Sequence, residues 1–184
     1  MEPGGSGWSG DAGAAWLTEQ TERGALTPCR VLVLAADMAE ETVALCRMGF
    51  TTLVVDDTKE VLASLKKTAG GYGARPTLVH ADAMAVSPSL FGPVELIWDR
   101  TLFHRLSVLR RAEWAHKTAR ILPSGGRLLA LFRIGTAAGG PPYAVTEDAL
   151  THLMTRHFLI EELAETGTAP PGAVRTVRGA FRRK

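Results

Sequence analysis

Glycine is missing where this chain should need it most. The sequence holds 19 glycines, yet none lies in residues 30–48, "RVLVLAADMAEETVALCRM". That stretch has the layout of a strand, a tight turn and the opening of a helix. Other scarcities set outer bounds. The two cysteines, Cys29 and Cys46, sit in unrelated contexts without metal-ligand spacing, so they read as reduced, structural thiols and no metal site is expected. No apolar run approaches the roughly 20 residues that span a bilayer. The start "MEPGGSGWSGDAG" lacks the basic and apolar regions of a signal peptide. A cytoplasmic protein without a membrane partner is the expectation. A formal charge of +2 implies no polyanion partner, and the basic tail "VRTVRGAFRRK" reads as a solvated terminal strand rather than a nucleic-acid surface.

What is present describes one globular domain. Of the 184 residues, 46% are hydrophobic and the charges nearly balance, which is enough apolar material for a sizeable core. Residues 1–29 form an N-terminal segment in which the first dozen positions are small and polar. Trp8 and Trp16 are costly to leave there in water, so part of the segment is expected to fold back onto the body, residues 30–184.

The body alternates between two periods. Apolar or β-branched runs at 30–35, 50–55, 77–80, 94–98 and 127–132 read as strands. Helical spacing at 39–48, 58–68, 107–122 and 146–156 separates them, and 158–163 and 174–182 supply two more strands. With right-handed crossovers this predicts a doubly wound α/β sheet, mostly parallel. Ligands of such sheets bind beyond the carboxyl ends of the strands.

Three of the first four strand ends deliver a carboxylate to that rim: Asp56, Asp82 and Asp99. Asp56, about 20 residues past the first turn, is placed to accept from a ribose diol, although capping the helix that opens at Thr58 would use the same acid. Asp82 could accept from an exocyclic amine while the next backbone amide meets a ring nitrogen, as an adenine edge requires. A simple turn is its other reading.

The order "ELIWDRTLFHRL", then "LPSGGRLLALF", then "GGPPYAVTEDAL" resembles the thiopurine S-methyltransferase family of S-adenosylmethionine-dependent methyltransferases. The resemblance runs from about Trp8 to the C-terminus. It implies a Rossmann-like, seven-stranded sheet with an antiparallel edge strand. It also implies S-adenosylmethionine as cofactor, with Asp56 at the ribose, Asp82 and Ala83 at the adenine, and Trp98 and Asp99 beneath the methionine part. Arg100 then faces the acceptor, Tyr143 belongs to the loop that walls the pocket, and Trp16 belongs to a lid formed by the N-terminal segment.

In the family the first turn carries glycines. Here Ala35, Ala36, Asp37, Met38 and Ala39 occupy it. Glycine serves such turns because the backbone must approach the ligand and some positions need positive φ. Forcing another residue there costs roughly 1–2 kcal/mol. Asp37, Glu40 and Glu41 also place negative charge where a cofactor carboxylate would lie. Ala35 and Asp37 are therefore the cofactor contacts most in question.

The site is poor in bases, since His104 is the one histidine near the rim in sequence. That composition suits methyl transfer to a small, soft, thiol-like acceptor, which needs alignment more than deprotonation. Asp99, Arg100 and Tyr143 are the candidate catalytic residues. The alternative is a catalytically inactive relative that lost the cofactor with its glycines and uses the same sheet to bind a protein or metabolite.

Overall fold

The computed structural model describes residues 11–35, 39–136, 141–167, 170 and 172–184. Trp8 and Asp37 lie outside the described residues. The strands are β1 (Arg30–Leu34), β2 (Thr51–Asp56), β3 (Thr77–His80), β4 (Leu96–Asp99), β5 (Arg127–Ile134), β6 (Phe158–Glu165) and β7 (Arg175–Arg183). The helices are α1 (Asp11–Glu22), α2 (Ala39–Arg47), α3 (Lys59–Gly71), α4 (Pro88–Phe91), α5 (Leu102–Arg105), α6 (Val108–Ile121) and α7 (Glu147–Met154).

The sheet order is β3-β2-β1-β4-β5-β7-β6, parallel except for β7, which runs antiparallel to both β5 and β6. Strand order reverses between β1 and β4, where Leu34 pairs with Asp99. A cleft at the carboxyl ends is thereby set beside Ala35.

The central strands are apolar along their length because both faces are covered. On one face Leu32, Leu34, Ile97, Leu128 and Phe132 pack with Trp114 of α6 and Leu150 of α7. On the other, Val31, Val33, Trp98 and Leu129 pack with Leu45 of α2 and with Trp16 and Leu17 of α1.

The strand expectations match the structure within a few residues. The N-terminal segment is more ordered than its composition suggested. Residues 11–22 form α1, whose Trp16 and Leu17 are buried, and whose Glu19 and Arg23 pair with Arg178 and Glu162 on the β7-β6 edge. Short α5 also went unanticipated, because four residues carry too little periodicity to be read.

Candidate functional site

The rim is built from strand ends in fixed register. Asp56 ends β2, and its Oδ1 accepts from the Thr58 amide at 2.8 Å. Asp82 follows β3, and its Oδ1 accepts from the Met84 amide at 2.7 Å. Both turns fix a carboxylate at a strand tip, because a short acidic side chain can reach its own backbone two residues on. Each acid thus plays the local role considered for it, and does so at the rim. Asp56, Asp82, Ala83 and Ala35 line one cavity of about 190 Å³, together with Asp57 and Met84. Leu102, Arg105, Leu106 and Arg110, from α5, the residue after it and the first turn of α6, complete the lining.

Ala35 has φ +59°, the left-handed conformation that glycine adopts freely and alanine rarely does. Its amide donates to the Val55 carbonyl at 3.0 Å, and its carbonyl accepts from the Thr101 hydroxyl at 3.4 Å. These anchors on β2 and on the end of β4 hold the strained backbone in place despite a cost of roughly 1–2 kcal/mol. The turn therefore keeps a glycine-like conformation at this position without the glycine.

Asp99, expected beneath the methionine part of the cofactor, ends β4. It is 1% exposed, and its oxygens accept from the amides of Leu102 (2.8 Å) and Phe103 (3.2 Å) and from Trp114 Nε1 (2.8 Å). Burial raises its carboxyl to about 7, and those hydrogen bonds pull it back only in part. Asp99 caps α5 and ties it to α6, which makes it the support of the cavity wall rather than a group facing the ligand.

Trp98 and Trp16 belong to the core, with their rings 5.9 Å apart. Trp16 is 2% exposed, and its Nε1 has no hydrogen-bond partner among the described residues. Helix α1 nevertheless stands close to the rim. A Cβ at Gly13 would collide with Glu41 Oε1 and stand 3.0 Å from Trp98 Cζ2.

Arg100 is 4% exposed and ion-paired with Glu41, itself 1% exposed, on the first turn of α2. Burial pushes the Glu41 carboxyl up, and the Arg100 guanidinium pulls it back down. Sequence reasoning counted Glu41 among the acids that would repel an anionic ligand. The fold instead turns it inward, where Arg100 compensates its charge. By the same pairing, the guanidinium is already matched and is not a ready anion clamp.

His104 is a structural tie. Its Nδ1 lies 2.9 Å from the Tyr143 carbonyl, and its Nε2 accepts from the Arg133 amide at 3.1 Å. The same Nε2 lies 3.0 Å from the Leu131 carbonyl, so backbone groups engage both ring nitrogens. Burial lowers the His104 pKa to about 4, which favours the neutral ring. Tyr143 is half-buried. Its carbonyl also accepts from Arg111 at 3.1 Å, and its amide donates to the His104 carbonyl at 2.8 Å, so the Pro-Pro-Tyr loop is fastened to α5 and α6. Beyond β5 on the same rim lies a second hollow of about 480 Å³, bordered by Thr136, Thr146, Glu147, Glu165 and Arg175.

Sequence reasoning missed the wall residues Leu102, Arg105, Leu106 and Arg110. Their one available signal was position just after the "WDR" strand end. No group of three or more metal-ligating side chains occurs among the described residues, and no described helix is long and apolar enough to cross a membrane.

The family model for thiopurine S-methyltransferase matches residues 20–182. The chain belongs to this family. Solved structures share the fold at low identity. An S-adenosylmethionine-dependent methyltransferase from Clostridium acetobutylicum superposes with a TM-score of 0.78 at 12% identity, over 97% of this chain and 93% of that one. The magnesium protoporphyrin IX methyltransferase of Synechocystis PCC 6803, crystallised with S-adenosylhomocysteine, gives 0.76 at 14%, over 94% and 83%. The 1,6-didemethyltoxoflavin-N1-methyltransferase of Burkholderia thailandensis, solved with that substrate and S-adenosylhomocysteine, gives 0.70 at 16%, over 95% and 78%. The fold and family are those of S-adenosylmethionine-dependent methyltransferases, whose acceptors in these structures differ widely.

The residues present fit the nucleoside part of that cofactor. Carboxylates for a diol and an amine line one cavity together with apolar Leu102 and Leu106. At about 190 Å³ the cavity is smaller than the roughly 300–1,000 Å³ typical of whole-ligand sites, and it suits base and ribose.

Proposed function

We propose that this family member is an S-adenosylmethionine-dependent methyltransferase acting on a small, soft, thiol-like nucleophile. The observation that carries the reading is the convergence of Asp56, Asp82, Ala83 and Ala35 on one cavity at the strand tips. In this reading Asp56 accepts from the ribose hydroxyls, and Asp82 with the Ala83 backbone engages the adenine edge. The cofactor, when bound, supplies an electrophilic methyl group on a sulfonium.

The choice of acceptor rests on the engaged state of the titratable groups at hand: in the hollow beyond β5, Glu147 and Glu165 are both paired with Arg175. Two titratable groups near the β4 tip could have served as bases: His104 has both ring nitrogens engaged, and Asp99 is enclosed by three donors. A thiolate needs no deprotonation in the site, whereas a neutral hydroxyl generally does. Arg100 and Glu41 give the β4 tip a compensated charge, and the Tyr143 backbone is fastened to His104 and Arg111. The hollow beyond β5 is the space we assign to the acceptor.

The second reading, a non-catalytic relative, draws on the glycine-free turn, because a Cβ at position 35 narrows the backbone's approach to a ligand. Calorimetric titration with S-adenosylhomocysteine separates the two. Saturable binding at micromolar concentration supports the enzyme, and methyl transfer to a panel of thiols then tests the acceptor class. Silence up to millimolar ligand, with the protein folded, would establish the relative.

A further inference from the structure

Two arginines line the adenosine cavity together with its carboxylates. Arg105 ends α5 and Arg110 lies in the first turn of α6, and both line the hollow shared with Asp56 and Asp82. The backbone that carries them is fixed from below, because Asp99 holds the first amides of α5 and Trp114 of α6. Buried Leu102 and Leu106 supply the apolar part of the same wall.

The two kinds of charged side chain lining the cavity differ in hydrogen-bonding chemistry. An ionised carboxylate can only accept, and a guanidinium can only donate. Adenosine presents both kinds of group: the exocyclic amine and the ribose hydroxyls donate, while ring nitrogens N1, N3 and N7 accept. Aspartates alone would satisfy the donors and leave all but one of the ring acceptors without a protein partner, since the Ala83 amide supplies a single N–H. A buried acceptor left unmatched is penalised, and a site that provides its donor rejects analogues lacking that acceptor.

We propose that Arg105 and Arg110 are specificity-determining residues that read the base, donating to ring nitrogens of an adenine whose amine and ribose are held by the aspartates. This rests on the cofactor reading above. The planar fork of arginine, which can donate in fixed geometry and lie against a base, is what the role requires, and lysine lacks it. The competing role is electrostatic, with Arg105 merely offsetting the cavity's aspartates and Arg110 held by Glu113, whose Oε2 lies 3.5 Å from its Nε.

The test uses the full chain and calorimetry with S-adenosylhomocysteine and its 1-deaza, 3-deaza and 7-deaza analogues, each of which replaces one ring nitrogen by CH. The wild type should bind the parent ligand and at least one analogue about tenfold more weakly. Arg105→Gln and Arg110→Gln should lower parent affinity by about tenfold and shrink that discrimination to about twofold or less. Arg105→Lys and Arg110→Lys should resemble the glutamine variants. Both side chains are exposed, so melting temperatures should stay close to wild type and show that the variants fold. If the lysine variants keep the wild-type pattern, or the wild type binds all four ligands alike, base reading is overturned while the cofactor reading stands. If the wild type binds none of them, the cofactor reading fails and this proposal falls with it.

Discussion

The two halves of the rim, β1-β2-β3 on one side and the β4 tip on the other, are built from similar residues to opposite ends. On the first side, aspartates are held by short local turns and face a cavity. On the second, Trp98, Asp99 and Arg100 are nearly inaccessible and satisfied by the protein itself. The lesson is that the stretch most distinctive in sequence is the one most committed to holding the fold. A buried ionised group needs specific partners, and those partners restrict the residues allowed around it. Asp56 is itself only 2% exposed, yet it lines the cavity.

Removing Arg100 should break this contrast most severely. Arg100→Ala leaves Glu41 buried without its counter-charge and should cost about 3–5 kcal/mol in denaturant unfolding. The double variant with Glu41→Gln should recover a large part of that loss. If both single variants were neutral and additive, the pair would have no supporting role.

Asp99→Ala, which strands three donors, should cost about 2–4 kcal/mol and loosen the α5–α6 wall. Asp99→Asn sharpens the point through pH. An acid held at about 7 in the folded state and ionising near 3.8 when unfolded contributes stability below the lower value, and that contribution is lost as pH rises through the upper one. His104 acts in the opposite sense. Held at about 4 against an ordinary 6.5, it contributes stability above 6.5 that is lost as pH falls towards 4. The two largely cancel between pH 4 and 6.5 in the wild type. Asp99→Asn should therefore lose stability more steeply on acidification across that window, by about 3 kcal/mol at most. Parallel stability–pH curves for the two proteins would refute the opposition.

On the cavity side the effects should appear in binding instead. Asp56→Asn keeps an acceptor for the Thr58 amide and should leave stability within about 1 kcal/mol of wild type. Affinity for S-adenosylhomocysteine should fall about 10–100-fold. A large stability loss with unchanged affinity would move Asp56 into the structural half.

The smallest effect expected is at Ala35→Gly. It relieves a positive φ but adds unfolded-state entropy, so the net gain should be about 1 kcal/mol or less in stability. Cofactor affinity should rise by a few-fold, because a Cβ is removed from the turn. Weaker binding in the glycine variant would show that the methyl group contributes a contact.

Much of the fold was legible because it rests on local pattern. The apolar run of β1, the β-branched run of β2 and the amphipathic spacing of α3 each report their element directly. The order of the "WDR", "SGG" and "GPPY" segments carried the family. The acids at the ends of β2 and β3 could be placed at the rim by counting along the chain. Helix α1 was missed because its alanines and glycine give little amphipathic signal, and its burial depends on Trp98 and on the distant β6-β7 edge. Glu41 was misread because sequence reports a charge without its direction. In a helix's first turn the same side chain can face solvent or core.

The sequence by itself determined the alternation of strands and helices, the carboxylates at the strand ends and the loss of glycine from the first turn, since each is set by neighbours along the chain. Tertiary structure alone decided which carboxylates border a cavity and which are enclosed by donors. Asp56 and Asp82 line a cavity because the segment from Leu102 to Arg110 packs beside the strand ends without filling the space. Asp99 is enclosed because Trp114, 15 positions away, folds back to donate to it. Pairings between distant segments fix the environment of a charge, and that environment decides whether an acid binds a ligand or supports a wall.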